Sequence, residues 1–143
     1  MMLVLHRRAF ELGTAVHAKL SQAKERQEGL RRWPNCFTAV QVINNRTCPL
    51  HIDVGAPYPS LDIIATVGDF KGGVMHVPNC PYDFQQPPGS IFAFSAHMLQ
   101  HQVLPYEGNR ISFAWFMKDD VFQYAGVEQI PWTTEDDIFT ALH

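Results

Sequence analysis

Apolar side chains at Leu5, Ala9, Leu12, Val16, Ala23 and Leu30 recur at helical spacing within residues 2–31. They predict an N-terminal helix within residues 1–33, with Gly13 as a soft spot and Pro34 as the stop. From residue 36 the pattern changes. Short runs rich in β-forming residues cover 36–43, 61–67, 73–77, 91–95, 99–104 and 110–117. Proline and glycine punctuate the gaps, at Gly55-Ala56-Pro57, Pro78-Asn79, Pro87-Pro88-Gly89 and Gly108-Asn109. Many short strands with regular turns predict a sandwich or barrel. In the last strand Arg110, Ser112, Ala114 and Phe116 share one face, and Ile111, Phe113, Trp115 and Met117 the other. The polar pair is expected to face a pocket, with small Ala114 leaving room beside it. A short closing helix is expected from Thr134, an N-cap whose capping box is completed by Asp137.

Composition narrows the class. At 143 residues and 46% apolar content, the chain is expected to fold as one globular domain with a sizeable core. A net charge of −3 is too small to select a partner. Its distribution is uneven: residues 1–32 hold seven Lys/Arg against three Asp/Glu, and residues 33–143 hold four against eleven. A basic helix can follow phosphates, but a solvated helix face is the commoner meaning. Three cysteines, an odd and sparse set, point to a reducing compartment, so an intracellular location, cytoplasmic or nuclear, is expected. Neither a signal peptide nor a run of roughly 20 apolar residues is visible, so no membrane partner is expected. Oligomeric state is not legible.

The chemistry concentrates in four positions. His51-Ile52-Asp53 is an H-x-D pair, His101 follows Asp53 after 48 residues, and Arg110 comes nine residues later, opening Arg110-Ile111-Ser112. In H-x-D on a strand both side chains point to one face and can chelate one ion. Two histidines and a carboxylate make the facial triad of non-haem Fe(II) oxygenases, which leaves coordination positions open. The metal ligands expected are therefore His51, Asp53 and His101. Arg110 and Ser112 share a strand face after a turn at Glu107-Gly108-Asn109, one hairpin from the metal. A guanidinium grips a carboxylate as a bidentate fork, which lysine cannot copy.

At these residues the chain resembles the 2-oxoglutarate/Fe(II)-dependent dioxygenases, over about residues 37–117. The resemblance includes Asp69-Phe70-Lys71-Gly72-Gly73, the stretch Gln86-Pro87-Pro88-Gly89-Ser90-Ile91-Phe92-Ala93-Phe94, His101-Gln102-Val103 and Gly108-Asn109-Arg110-Ile111-Ser112. The texture is similar to fungal members related to the TET/J-binding-protein branch. This implies a mainly β, double-stranded β-helix (jelly roll) at 36–118, with the N-terminal helix packed outside and a C-terminal extension at 119–143. It also implies Fe(II) as cofactor and 2-oxoglutarate and dioxygen as co-substrates, with the far carboxylate of 2-oxoglutarate on Arg110 and Ser112. The reaction would hydroxylate an unactivated C–H bond, with the methyl of a 5-methylpyrimidine in nucleic acid as one candidate. The same chemistry on a protein or small molecule, and an inactive jelly-roll binding module or truncated oxygenase, stay open. The chain has little room for the extra DNA-binding segments of that branch.

Other residues have plainer expectations. His97, 13 residues before Arg110, competes with His101 as distal ligand but sits at an awkward distance for the hairpin. His76 is expected on a strand, and His6 and His17 on the helix surface. Cys48 with His51, and His76 with Cys80, have spacings that could suit a structural zinc, a rival that would leave Asp53 and Arg110 unexplained. Asn44 and Asn45 are candidates to bind co-substrate or substrate, with turn formation the expected role. Tyr58, Tyr82 and Phe84 are candidate rim aromatics that could stack on a base.

Overall fold

The computed structural model describes residues 1–33 and 35–134. The expected closing helix at Thr134 and Asp137 reaches outside the described residues, as do Pro34 and His143. The elements are α1 (Met2–Leu5), α2 (Arg7–Leu20), a 3-10 turn (Lys24–Arg26), α3 (Gln27–Arg31), β1 (Ala39–Asn44), β2 (Asp62–Gly72), β3 (Met75–His76), β4 (Ile91–Phe94), β5 (Gln102–Val103), β6 (Tyr106–Phe116) and α4 (Asp119–Ala125). Antiparallel sheets with a few helices are thus the observed class. The chain forms two compact units. One comprises Met1–Ala39, Gly55–Ser60 and the segment from Met117 on; the other comprises Val40–Val54 and Leu61–Phe116.

In the helical unit, the single helix expected over 2–31 is broken into pieces. His6 leaves helical geometry at φ −155°, and its Nδ1 accepts a hydrogen bond from the Ala9 N–H at 3.3 Å, so it caps α2. His6 is buried, and His17 is half-buried with its ring on the Phe37 carbonyl at 2.9 Å, so neither is the surface residue the periodicity suggested. Ala9, Leu12 and Val16 are buried as expected, whereas Leu5 is exposed. Gly13 is no soft spot. A β-carbon there would lie 2.1 Å from the Cys36 carbonyl oxygen, so glycine is what allows that close approach. Cys36 is itself buried, and burial pushes its thiol up to about 11. Helix α4 was not expected. Its signals are Asp119 and Asp120 in the first turn, which suit the helix dipole, and Gly126, whose left-handed φ of 60° closes it. Among the described residues, no helix is long and apolar enough to cross a membrane.

The β unit has a four-stranded sheet in the order β1-β6-β2-β4 and a two-stranded sheet of β3 and β5. β2 and β6 pair from Ile63↔Trp115 to Gly72↔Tyr106, setting Gly68 opposite Arg110, Thr66 opposite Ser112 and Ile64 opposite Ala114. Glu107-Gly108-Asn109 is therefore not a turn: it pairs with Lys71, Phe70 and Asp69 inside this ladder. The link from β5 to β6 is Leu104-Pro105, tied back by Leu104 N–H to the Val74 carbonyl and Gly73 N–H to the Pro105 carbonyl. Asn45, at positive φ, ends β1 and clasps β6, its side-chain oxygen accepting from the Arg110 N–H at 2.8 Å. Met75, Val77, Phe94 and Ala96 form a buried cluster, with Ile64, Cys80, Phe84, Phe92, Leu99 and Val103 packed on it. Phe84 is thus part of the packing and not a rim aromatic; Tyr58 and Tyr82 are exposed.

Candidate metal centre

The local scaffold of the centre is an isolated antiparallel bridge between His51 and His101. His51 N–H reaches the His101 carbonyl at 3.1 Å and His101 N–H the His51 carbonyl at 2.9 Å. Two residues on, the Asp53 N–H bonds the Ala96 carbonyl at 2.9 Å. The H-x-D pair therefore sits at a bridge and the coil after it, not on a regular strand as the spacing suggested. The consequence for the side chains is nonetheless the expected one. His51, Asp53 and His101 each present a ligand atom, all within 4.8 Å of one another.

The imidazoles are oriented from behind. His51 Nδ1 donates to the Pro49 carbonyl at 2.7 Å, and His101 Nδ1 to the Leu99 carbonyl at 2.9 Å. With Nδ1 carrying the proton, each Nε2 keeps its lone pair, the tautomer a metal needs. His51 Nε2 lies 3.3 Å from an Asp53 carboxylate oxygen. The rings stand 4.3 Å apart, and His101 packs edge-on against Phe94 at 4.8 Å. Burial lowers the His101 pKa, which favours the neutral ligand form. The donor set, two imidazoles and one carboxylate, fits a divalent first-row metal such as Fe(II).

Arg110 and Ser112 reach the same cavity. It measures about 210 Å³ and is lined by the triad, Arg110, Ser112 and Ala114 on one β6 face, apolar Ile64, Met75 and Val103, and Gln41, Ile43, Arg46 and Cys48. The strand parity expected for β6 is therefore observed. Arg110 is 3% exposed. Its Nη1 donates to Ser112 Oγ at 2.6 Å and its Nη2 to Gln86 Oε1 at 2.9 Å, while Nε has no hydrogen-bond partner among the described residues. Phe70 and Tyr106 rings lie 5.6 Å from the guanidinium carbon. These ring faces offset part of the desolvation. No carboxylate among the described residues pairs with it, and burial lowers its pKa. A buried cation without an anion is costly, several kcal/mol of uncompensated desolvation. A dicarboxylate chelating the metal at one end would supply the missing charge at the other. Gly73 lies against this side chain: a β-carbon there would sit 3.1 Å from Arg110 Nε.

Sequence reasoning missed Gln86, 2% exposed and in contact with Arg110. No spacing signal links residues 24 apart from different strands and loops. Among the described residues, His51, Asp53 and His101 are the one group placed to hold a metal. His97 is not in it, and His76 pairs with Asp83 at 2.6 Å, so the zinc alternative does not assemble. Asp62, buried at the start of β2, is likewise outside the group. Burial, with a smaller effect of the Asp53 charge, pushes its carboxyl up to about 7.

Comparison with known proteins gives the fold and the family. The structure of NgTET1 in complex with 5mC DNA is similar in fold, with a TM-score of 0.54 at 13% identity, over 74% of this chain and 42% of that one. This chain thus spans less than half the length of that protein. No curated protein matches it. Residues 6–119 match the Tet_JBP family, described as the oxygenase domain of the 2OGFeDO superfamily, whose cofactor and co-substrate are Fe(II) and 2-oxoglutarate. The chain belongs to the TET/JBP family of oxygenase domains within the 2-oxoglutarate/Fe(II) dioxygenase superfamily.

Proposed function

We propose that this chain is an Fe(II)- and 2-oxoglutarate-dependent oxygenase that hydroxylates an unactivated C–H bond, its substrate group being the methyl of a 5-methylpyrimidine in nucleic acid. One observation carries the reading: a His-Asp-His cluster and a buried arginine with no acidic partner among the described residues line one cavity. Bound Fe(II) with 2-oxoglutarate supplies dioxygen activation through oxidative decarboxylation of the co-substrate to succinate and carbon dioxide.

The protein's part is geometry. His51 and His101 offer Nε2 and Asp53 a carboxylate oxygen, each held by the backbone contacts described above. Arg110 forks the far carboxylate. Ser112 Oγ, already accepting from Arg110, keeps its own proton to donate to the same group. Ile64, Met75 and Val103 give the cavity apolar walls that strengthen these charged contacts. The two antiparallel sheets, both contributing to one cavity, support a double-stranded β-helix built as one oxygenase domain. An intracellular location rests on the odd and sparse set of three cysteines in the sequence.

The substrate class is supported by the family and by the fold likeness to a protein solved with 5mC DNA. A duplex base must leave the stack to reach such a cavity, so single-stranded or mismatched DNA is the favoured form. A second reading, the same chemistry on a protein or small molecule, is favoured by the fate of the basic N-terminal residues. Arg7, Arg8 and Arg32 pair with glutamates within the chain, which leaves fewer uncompensated cations for phosphates. The test is mass spectrometry of digested methylated oligonucleotides after incubation with iron, 2-oxoglutarate and ascorbate. Oxidised 5-methylcytosine that disappears in His51→Ala supports nucleic acid; succinate formation with no oxidised base supports the second reading.

A further inference from the structure

Gln86 has an unusual position for an uncharged amide. It is 2% exposed, and its Oε1 accepts from Arg110 Nη2 at 2.9 Å. Arginine has only donors, so the amide orientation is fixed: oxygen toward Arg110, nitrogen away. That nitrogen is buried with no hydrogen-bond partner among the described residues. Packing alone would be better served by an apolar residue of similar volume, since a buried unsatisfied donor is a net cost. The segment is also pinned on both sides. Phe84 pairs with Met75 through two backbone hydrogen bonds of 2.9 Å, and Thr66 Oγ1 donates to the Pro87 carbonyl at 3.2 Å. Gln86 is therefore held where it can aim Arg110, with Ser112 on the guanidinium's other terminal nitrogen.

The choice of amide over acid matters. A glutamate here would place a carboxylate against the guanidinium and close it as an internal ion pair. The amide orients the fork and leaves its charge available. We infer that Gln86 is a positioning residue of the distal-carboxylate subsite, a neutral acceptor that fixes Arg110 toward a dianionic 2-oxo acid without neutralising it. This rests on the reading of the cavity as a 2-oxoglutarate site, and it goes beyond that reading by making residue 86 the determinant of whether Arg110 is free for the ligand.

The experiment measures binding of two probes to the full chain loaded with Mn(II) in place of iron, by calorimetry, in wild type, Gln86→Glu and Gln86→Met. The probes are 2-oxoglutarate and 2-oxobutyrate, which lacks the far carboxylate. Gln86→Glu should weaken 2-oxoglutarate roughly tenfold or more, as expected when a charge-assisted contact is lost. It should leave Mn(II) and 2-oxobutyrate affinity within about twofold, and the unliganded protein should melt no lower than wild type. Gln86→Met, which removes the acceptor but adds no charge, should weaken 2-oxoglutarate by less. Equal 2-oxoglutarate affinity in wild type and Gln86→Glu, or equal weakening of both probes, overturns the inference while leaving the site reading intact. Failure of wild type to prefer 2-oxoglutarate over 2-oxobutyrate overturns the reading beneath it.

Discussion

His51 and His101 exchange two backbone hydrogen bonds, of 3.1 and 2.9 Å, at a bridge one residue pair long. That single pair brings together residues separated by 50 positions in the chain and sets their rings 4.3 Å apart. The position of the distal ligand follows from it: residue 101 is bonded to residue 51, and its ligand atom falls in one group with those of His51 and Asp53.

Loss of any one ligand should therefore be severe and loss of His97 mild. His51→Ala, Asp53→Ala and His101→Ala should each reduce metal affinity by at least about 100-fold, beyond the effect of removing an outer partner of a ligand. Circular dichroism should show the fold retained. Iron stoichiometry after desalting checks this. A chain that keeps full iron as His101→Ala but loses it as His97→Ala would contradict the assignment.

Arg110→Lys keeps a charge but loses the fork. It should raise the 2-oxoglutarate concentration for half-maximal succinate formation by roughly tenfold or more. Ser112→Ala should move the same value in the same direction by less. Iron stoichiometry should be unchanged in both. An unaltered 2-oxoglutarate requirement in Arg110→Lys would remove Arg110 from the co-substrate site.

Two helix glycines should respond in opposite directions to alanine. Gly13→Ala drives a β-carbon into the Cys36 carbonyl and should destabilise by about 1–3 kcal/mol, as overpacking does. Gly29→Ala, in α3 with open space around it, should stabilise by about 0.5–1 kcal/mol. Urea denaturation of both variants measures the difference. Equal effects would show that Gly13 is not held by that contact.

The parity of β6 was legible because it is a local property: short-range backbone geometry sets which side chains share a face, whereas the H-x-D pair reaches one site from a bridge and the coil after it. So was the change from helical to strand patterning at residue 36. Where tertiary pairing overrode local signals, the reading went astray. Gly108-Asn109 has turn composition, yet the long β2–β6 ladder absorbs it, with Gly108 at φ +99° opposite Phe70. The N-terminal periodicity gave the buried face of α2 but not its start, because the break is made by His6 turning inward to cap. Helix α4 is a single turn pair whose acidic start and glycine stop carry little weight without the packing of Phe122. Gln86 was beyond reach for a different reason. Its contact with Arg110 exists only through space, and a glutamine in the coil between two strands carries no signal of its own.

The central claim is that one cavity holds Fe(II) on His51, Asp53 and His101 and 2-oxoglutarate on that metal and Arg110. Anaerobic titration of the iron-loaded chain with 2-oxoglutarate tests it most directly. The account predicts a visible metal-to-ligand charge-transfer band that saturates at one equivalent, is absent in Asp53→Ala, and needs more 2-oxoglutarate to saturate in Arg110→Lys. A chain that binds iron stoichiometrically through these residues but develops no such band at saturating 2-oxoglutarate would contradict it.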